Sequence, residues 1–273
     1  MTKLGISSYT FPWTVGSPED SHGNLSNAKA LIQKAVEFGV DRLQIGDNIP
    51  LQDFSSEALE SLVGLAKEEG VQIEVGTRRL TKARIEQFVP IASSFGSPFI
   101  RVVIDDVDYE PKVERIIEII KELLPLLKSR EIVLAIENHD RLSSASLAKI
   151  VESTDPEYVG ICLDTANSLG AGEGIHEVIR NLGAYTVNLH IKDITIRRLE
   201  HKMGFKVLGC AAGTGIIDIP FLIDFLAKNL KLISITLEVW SDYLNTLEET
   251  IKREHLWAGE SISYLKKIIA KTE

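Results

Sequence analysis

Ile132-Val133-Leu134-Ala135-Ile136-Glu137 is followed downstream by Val159-Gly160-Ile161-Cys162-Leu163 with Asp164 behind it, and then by Thr186-Val187-Asn188-Leu189-His190-Ile191. Each is a short, β-rich apolar run of the kind that forms a strand buried on both faces, and each carries a costly polar group at or near its end. Working outward, five more such runs occur: Lys3 to Ser8, Arg42 to Ile45, Gln72 to Val75, Phe99 to Ile104 and Leu232 to Val239. Amphipathic stretches separate them. Ala28 to Phe38 reads as a helix stopped by Gly39, Glu57 to Glu69 as one stopped by Gly70, and Val113 to Lys128 as one with a kink expected at Pro125. Strands alternating with helices imply βαβ units and a parallel sheet, and eight of them imply closure. The expected fold is therefore α/β, a (β/α)8 TIM barrel, as one domain over residues 1–273.

The chain has 273 residues, of which 44% are hydrophobic, enough for one large core. Its formal charge of −9 opposes binding to nucleic acid, so the expected partner is a small molecule. The two cysteines, Cys162 and Cys210, form no CxxC pair and read as core thiols in a reducing compartment. No apolar run suggests a signal peptide or membrane span, so a cytoplasmic location without membrane attachment is expected. Two segments are long enough to act as lids, Thr10 to Asn24 and Ile194 to Gly215.

Active sites of this fold lie at the C-terminal ends of the strands. The last four strands end in Glu137, Asp164, His190 and Glu238. Singly, each has an ordinary reading: Glu137 paired with Arg141, Asp164 capping a helix, His190 satisfied in the core, Glu238 bridged to Lys192. Together they bring three like charges into a small volume, and a shared cation relieves the repulsion. Three carboxylates and an imidazole suit one divalent metal ion, with Mn²⁺ or Mg²⁺ favoured and Co²⁺ or Zn²⁺ compatible.

The segments Ile136-Glu137-Asn138-His139, Leu163-Asp164-Thr165-Ala166-Asn167-Ser168, Leu189-His190-Ile191-Lys192-Asp193 and Leu237-Glu238-Val239 together resemble the xylose isomerase-like TIM-barrel superfamily, within it the sugar phosphate isomerase/epimerase group, which includes ketose 3-epimerases and inosose isomerases. The likeness runs from Leu4 to the closing helix with Glu254-His255-Leu256-Trp257. It implies metal ligation by Glu137, Asp164, His190 and Glu238, with Glu137 and Glu238 also serving as the acid/base pair. Many members carry a histidine three residues after the aspartate, where this chain has Asn167. The implied activity is metal-dependent sugar or cyclitol isomerisation or epimerisation: a proton is removed next to a carbonyl and the enediolate charge is held by the metal.

Supporting substrate contacts are expected from His139 and Lys192, which follow ligands by two residues and so share their side of the strand. Asn167 is a further contact, with Glu74 and Arg101 able to pair across the mouth or bind hydroxyls, and Trp13, Tyr9 and Trp240 as an apolar wall. Gly213-Thr214-Gly215, with Arg197, Arg198, Lys202 and Lys206 nearby, allows a phosphate site, although an unphosphorylated substrate is favoured. Rival functions are a dehydratase or lyase acting on an inosose or 3-keto glycoside, an AP endonuclease-like hydrolase and a non-catalytic sugar-binding barrel. The hydrolase needs further histidines, and the second and third strands end instead in Gly46-Asp47 and Gly76-Thr77. A homo-oligomer is compatible with the sequence.

Overall fold

The computed structural model describes residues 3–16, 24–228 and 231–272. Among them, eight strands close a parallel barrel: β1 (Lys3–Ser7), β2 (Arg42–Ile45), β3 (Gln72–Arg78), β4 (Phe99–Val103), β5 (Val133–Glu137), β6 (Val159–Asp164), β7 (Thr186–Ile191) and, after a hairpin, β10 (Ser234–Leu237). The ring runs in chain order and shuts where β1 pairs with β10. The strand runs read from the sequence are recovered with end shifts. The eighth is shorter than Leu232 to Val239, and Glu238 lies just beyond it, its N–H donating to Ile191 O at 3.0 Å.

The helices α2 (Leu25–Glu37), α3 (Ser56–Glu68), α4 (Lys82–Phe95), α5 (Val113–Ser129), α6 (Ser144–Glu152), α7 (Ile175–Leu182), α8 (Ile219–Ala227) and α9 (Leu247–Thr272) follow the barrel strands. They bury one apolar stripe each, as amphipathic patterning requires: Ile116, Ile119, Ile120, Leu123 and Leu127 form that of α5. Gly39 and Gly70, which follow α2 and α3, take positive φ. The α5 helix continues past Pro125 to Ser129. No helix among the described residues is long and apolar enough to cross a membrane.

Both expected lids differ from plain loops. The first begins with a short helix, α1 (Pro12–Val15), and its residues 17–23 lie outside the described ones. The second is largely an antiparallel hairpin, β8 (Asp193–Arg198) with β9 (Phe205–Cys210). The β-branched residues Ile194, Thr195, Ile196 and Val207 suit that pairing, a signal masked by the basic residues around the turn.

Candidate functional site

Parallel register carries the strand-end residues to one level. Asp164 stands opposite His190, His190 opposite Thr236, and Glu137 opposite Cys162. Side chains alternate along a strand, so Asn188 and His190 share the barrel interior in successive layers. Glu137, Asp164, His190 and Glu238 are all buried.

A polar layer beneath them orients the imidazole. Gln44 Nε2 donates to Asn188 Oδ1 at 3.1 Å, and Cys162 Sγ donates to the same oxygen at 3.1 Å. Asn188 Nδ2 in turn donates to Ser234 Oγ at 2.8 Å and Thr236 Oγ1 at 3.0 Å. With its amide nitrogen committed, Gln44 turns its oxygen to His190 Nε2 at 2.8 Å. Facing an amide oxygen, the imidazole donates from Nε2, and its Nδ1 is left without a hydrogen-bond partner.

Nδ1 has no hydrogen-bond partner, and three carboxylates surround it: Glu238 Oε1 at 3.4 Å, Glu137 Oε2 at 3.7 Å and Asp164 Oδ2 at 3.9 Å. Asp164 divides its labour. Its Oδ1 caps the following turn, accepting from Ala166 N at 2.8 Å and Asn167 N at 2.9 Å, while Oδ2 has no hydrogen bond and faces the Lys192 ammonium at 2.9 Å. Ligands of one Mg²⁺ or Mn²⁺ at about 2.1 Å stand roughly 3 to 3.5 Å apart, slightly closer than these donors. Asp164, His190 and Glu238 offer donor atoms within 4.8 Å of one another, so a divalent cation fits after a small contraction.

Repulsion among the acids is weaker than the sequence argument supposes. Lys192 Nζ also lies 2.9 Å from Glu238 Oε2, confirming the bridge that was one of the ordinary readings. Arg101 Nε donates to Glu137 Oε2, and its Nη1 reaches Asp47 Oδ1 at 2.8 Å. Two cations thus offset part of the negative charge. Burial would raise Glu238, but Lys192, His190 and Arg101 outweigh it and hold its carboxyl at about 2. Burial would likewise lower the Lys192 ammonium, yet Asp164, Glu238 and Glu137 push it well above the ordinary lysine range. What still points to a metal is His190 Nδ1, a buried ligand-type nitrogen that has no hydrogen-bond partner and sits among three carboxylates.

Several expected roles change. Arg141 pairs with Asp105, at 2.9 and 2.6 Å, not with Glu137. Arg101 and Glu74 do not meet across the mouth: Arg101 serves Glu137, while Glu74 is fully buried beside the Arg42 guanidinium at 3.9 Å. Glu74 does not line the cavity, because its place in β3 puts it below the strand ends. Asn167 spends both ends of its amide, donating to Glu137 Oε1 at 2.8 Å and accepting from Lys192 at 3.3 Å, so it ties Glu137 to Lys192. The Gly213-Thr214-Gly215 segment is no phosphate cradle. Its Gly213 and Gly215 N–H groups donate to Asp193 Oδ2 at 2.8 and 2.9 Å, and Ile217 N to Asp193 Oδ1 at 3.2 Å, so the chain's own carboxylate fills the nest.

Above the cluster opens a cavity of about 870 Å³. Tyr9, Trp13 and Trp240 line it as expected, joined by Tyr243, with His139, Asn167 and Lys192 on its polar side. Asp47, which had no role assigned, anchors this rim: it accepts from Tyr9 OH at 3.0 Å and Arg78 Nε at 2.8 Å as well as from Arg101. Its position at the end of the second strand was the signal available in the sequence. Ser7 and Gln44 were missed altogether, since neutral residues in an apolar strand do not advertise a partner; Ser7 Oγ donates to Glu238 Oε1 at 3.0 Å.

A family model described as xylose isomerase-like TIM barrel matches residues 32–268. The 3-oxo-isoapionate decarboxylase of Pectobacterium atrosepticum is 30% identical over 262 residues, covering 96% of this chain and 94% of that one. A xylose isomerase-like TIM barrel protein from Mycobacterium smegmatis, crystallised in complex with magnesium, shares the fold with a TM-score of 0.78 at 14% identity, covering 100% of this chain and 98% of its own. The D-psicose 3-epimerase with D-tagatose from Clostridium cellulolyticum H10 does so with a TM-score of 0.71 at 18% identity, over 99% of each chain.

Proposed function

The chain belongs to the xylose isomerase-like TIM barrel family, and from that premise we propose that it is a divalent-metal-dependent enzyme that builds negative charge on the carbonyl of a small sugar-derived substrate, with decarboxylation of an oxo sugar acid as its reaction. The observation that carries the metal is the unpaired His190 Nδ1 among Glu137, Asp164 and Glu238. The near full-length likeness to a 3-oxo-isoapionate decarboxylase supports the choice of reaction.

Glu137, Asp164, His190 and Glu238 would hold the ion. When bound, it supplies Lewis acidity, polarising the carbonyl and stabilising the oxyanion. Breaking the bond between the carboxylate and the carbon next to that carbonyl releases CO2 and sends the electron pair toward oxygen, and the enolate is completed by a proton delivered to that carbon from the Lys192 ammonium, which solvent replenishes. The bond breaking needs no base. That requirement suits a site in which Arg101 and Lys192 already occupy Glu137 and Glu238 and the Glu238 carboxyl is held at about 2. Lys192 stays protonated among its carboxylates and presents positive charge to an anionic substrate, while Trp13 and Trp240 give the cavity an apolar wall.

Isomerisation or epimerisation is the second reading. It is favoured by Glu137 and Glu238, which approach the His190 Nδ1 at 3.7 and 3.4 Å from strands on either side and can act as an acid/base pair. Incubating the Mn²⁺-loaded protein in deuterated water with ¹³C-carboxyl oxo sugar acids and with ketoses separates the two. Labelled CO2 release supports decarboxylation, and deuterium uptake without carbon loss supports isomerisation. Turnover of either kind that persists in a chelator refutes the metal-dependent reading.

A further inference from the structure

Glu254 lies on α9, fully buried, with no contact to the metal cluster. Its side chain reaches out of the helix to the segment after the first strand. Oε1 accepts from Trp13 N at 2.9 Å, and Oε2 accepts from Thr14 N at 3.2 Å and Thr14 Oγ1 at 2.6 Å. These amides open α1, whose N-cap residue Phe11 has no side-chain oxygen to offer them. A carboxylate from the far end of the chain therefore does what a local cap does elsewhere.

The second end of the same residue is fixed from another direction. Trp13 Nε1 donates to Ser241 O at 2.6 Å, its ring packs against Tyr243 with centroids 5.3 Å apart, and both rings line the cavity. Ser241 belongs to the stretch that carries Glu238 and Trp240, and Arg253 Nε, from α9, donates to Ser241 Oγ at 3.1 Å. Helix α9 thus grips the backbone of Trp13 through Glu254 and the acceptor of its indole through Arg253. Burying a carboxylate is unfavourable unless it is fully hydrogen-bonded, so a buried acid spent on four residues of helix needs a reason beyond stability.

We infer that Glu254 is a positioning residue for the substrate wall: it fixes Trp13, and with it the aromatic face of the cavity, against the strand end that bears Glu238. The inference rests on the reading of this cavity as the substrate site. Its test is spectroscopic and needs neither substrate nor turnover.

The chain has three tryptophans, so Trp240→Phe with Trp257→Phe leaves Trp13 as the sole emitter. In that Mg²⁺-supplemented full chain, Glu254→Ala is expected to shift the Trp13 emission maximum to the red and to increase acrylamide quenching. Glu254→Gln, which keeps an acceptor, is expected to fall between it and the parent. Thr14→Val removes the hydroxyl donor and leaves the Thr14 N–H on Glu254 Oε2, so it is expected to move both readings in the same direction by less; it decides the matter where Glu254→Ala does not fold. Unchanged emission and quenching in folded Glu254→Ala, or in Thr14→Val and Glu254→Gln together, overturns the inference. Mn²⁺ affinity measured on the same variants is expected to be unaltered, which separates this result from any failure of the metal-dependent reading. Once a substrate is in hand, Glu254→Gln is expected to raise KM with kcat retained, because the carboxylate touches no reacting atom.

Discussion

His190 and Gln44 form a single hydrogen bond of 2.8 Å that decides which nitrogen of the imidazole faces the three carboxylates. Gln44 is joined through Asn188 to Ser234 and Thr236, and its amide nitrogen is held by Asn188 Oδ1, which leaves its oxygen for the imidazole. That layer is what turns Nδ1, which has no hydrogen-bond partner, toward the carboxylates.

Gln44→Leu removes the acceptor that fixes the tautomer. Partners of this kind are typically worth roughly 10- to 100-fold in metal affinity. Mn²⁺ binding followed by electron paramagnetic resonance is expected to weaken by that order, and dialysis against a chelator to strip the variant faster than the wild type. Equal affinity in the two proteins would show that Gln44 has no hold on the metal site.

Glu238→Gln leaves the side chain's shape but withdraws its charge from Lys192 and from the bare Nδ1. Where Glu238 serves as half of an acid/base pair, turnover is expected to fall by about 10²- to 10⁴-fold with a smaller change in KM, whereas decarboxylation, which needs no base, is expected to lose turnover only in step with Mn²⁺ affinity. A variant that loses affinity while keeping kcat would point to substrate binding as the residue's main work.

Glu74 gives the fold a pH dependence of its own. Burial raises its carboxyl from the ordinary 4.5 to about 7, and Ser234 and Arg42 offset only part of that. The native state therefore holds a proton that the unfolded chain has already lost, so the contribution is complete below 4.5 and drains away as pH rises through 7. Glu74→Gln cannot ionise. Its urea midpoint is expected to decline less than that of the wild type between about pH 5 and pH 8, and parallel declines would contradict the assignment.

Gly215 has no room for a side chain. A Cβ there would lie 2.1 Å from Asp193 Oδ1 and 2.3 Å from Ile194 O, inside the loop that the carboxylate holds together. Gly215→Ala is expected to destabilise the protein by roughly 1 to 3 kcal/mol in chemical denaturation, the usual range for overpacking. Inorganic phosphate is expected to give no thermal stabilisation, since the N–H groups it would need are already donating. A phosphate-dependent rise in Tm would restore the phosphate-site reading.

The strand count, the closed parallel barrel and the four strand-end residues were legible in the sequence because each rests on a local signal: an apolar run of fixed length, a stop, and a charged group where none is comfortable. The partners of Arg101 and Glu74 were not legible. Both sit in neighbouring strands, and the two-residue alternation says that each can face the barrel interior without saying at what height, which depends on the stagger between β3 and β4. The same limit hid the hairpin after β7, whose pairing is settled across the turn, and the Asp193 carboxylate that fills the glycine loop.

Sequence by itself determined the three acids and the imidazole at the strand ends and the elements that carry them, since hydrophobic periodicity and strand-end polarity act over a few neighbouring residues. Only the tertiary structure decided that Gln44 orients His190, that Lys192 and Arg101 temper the acids, and that Glu254 holds Trp13 from 241 residues away. Those contacts depend on short-range, directional hydrogen bonds between groups distant along the chain, and their geometry exists only once the barrel has closed.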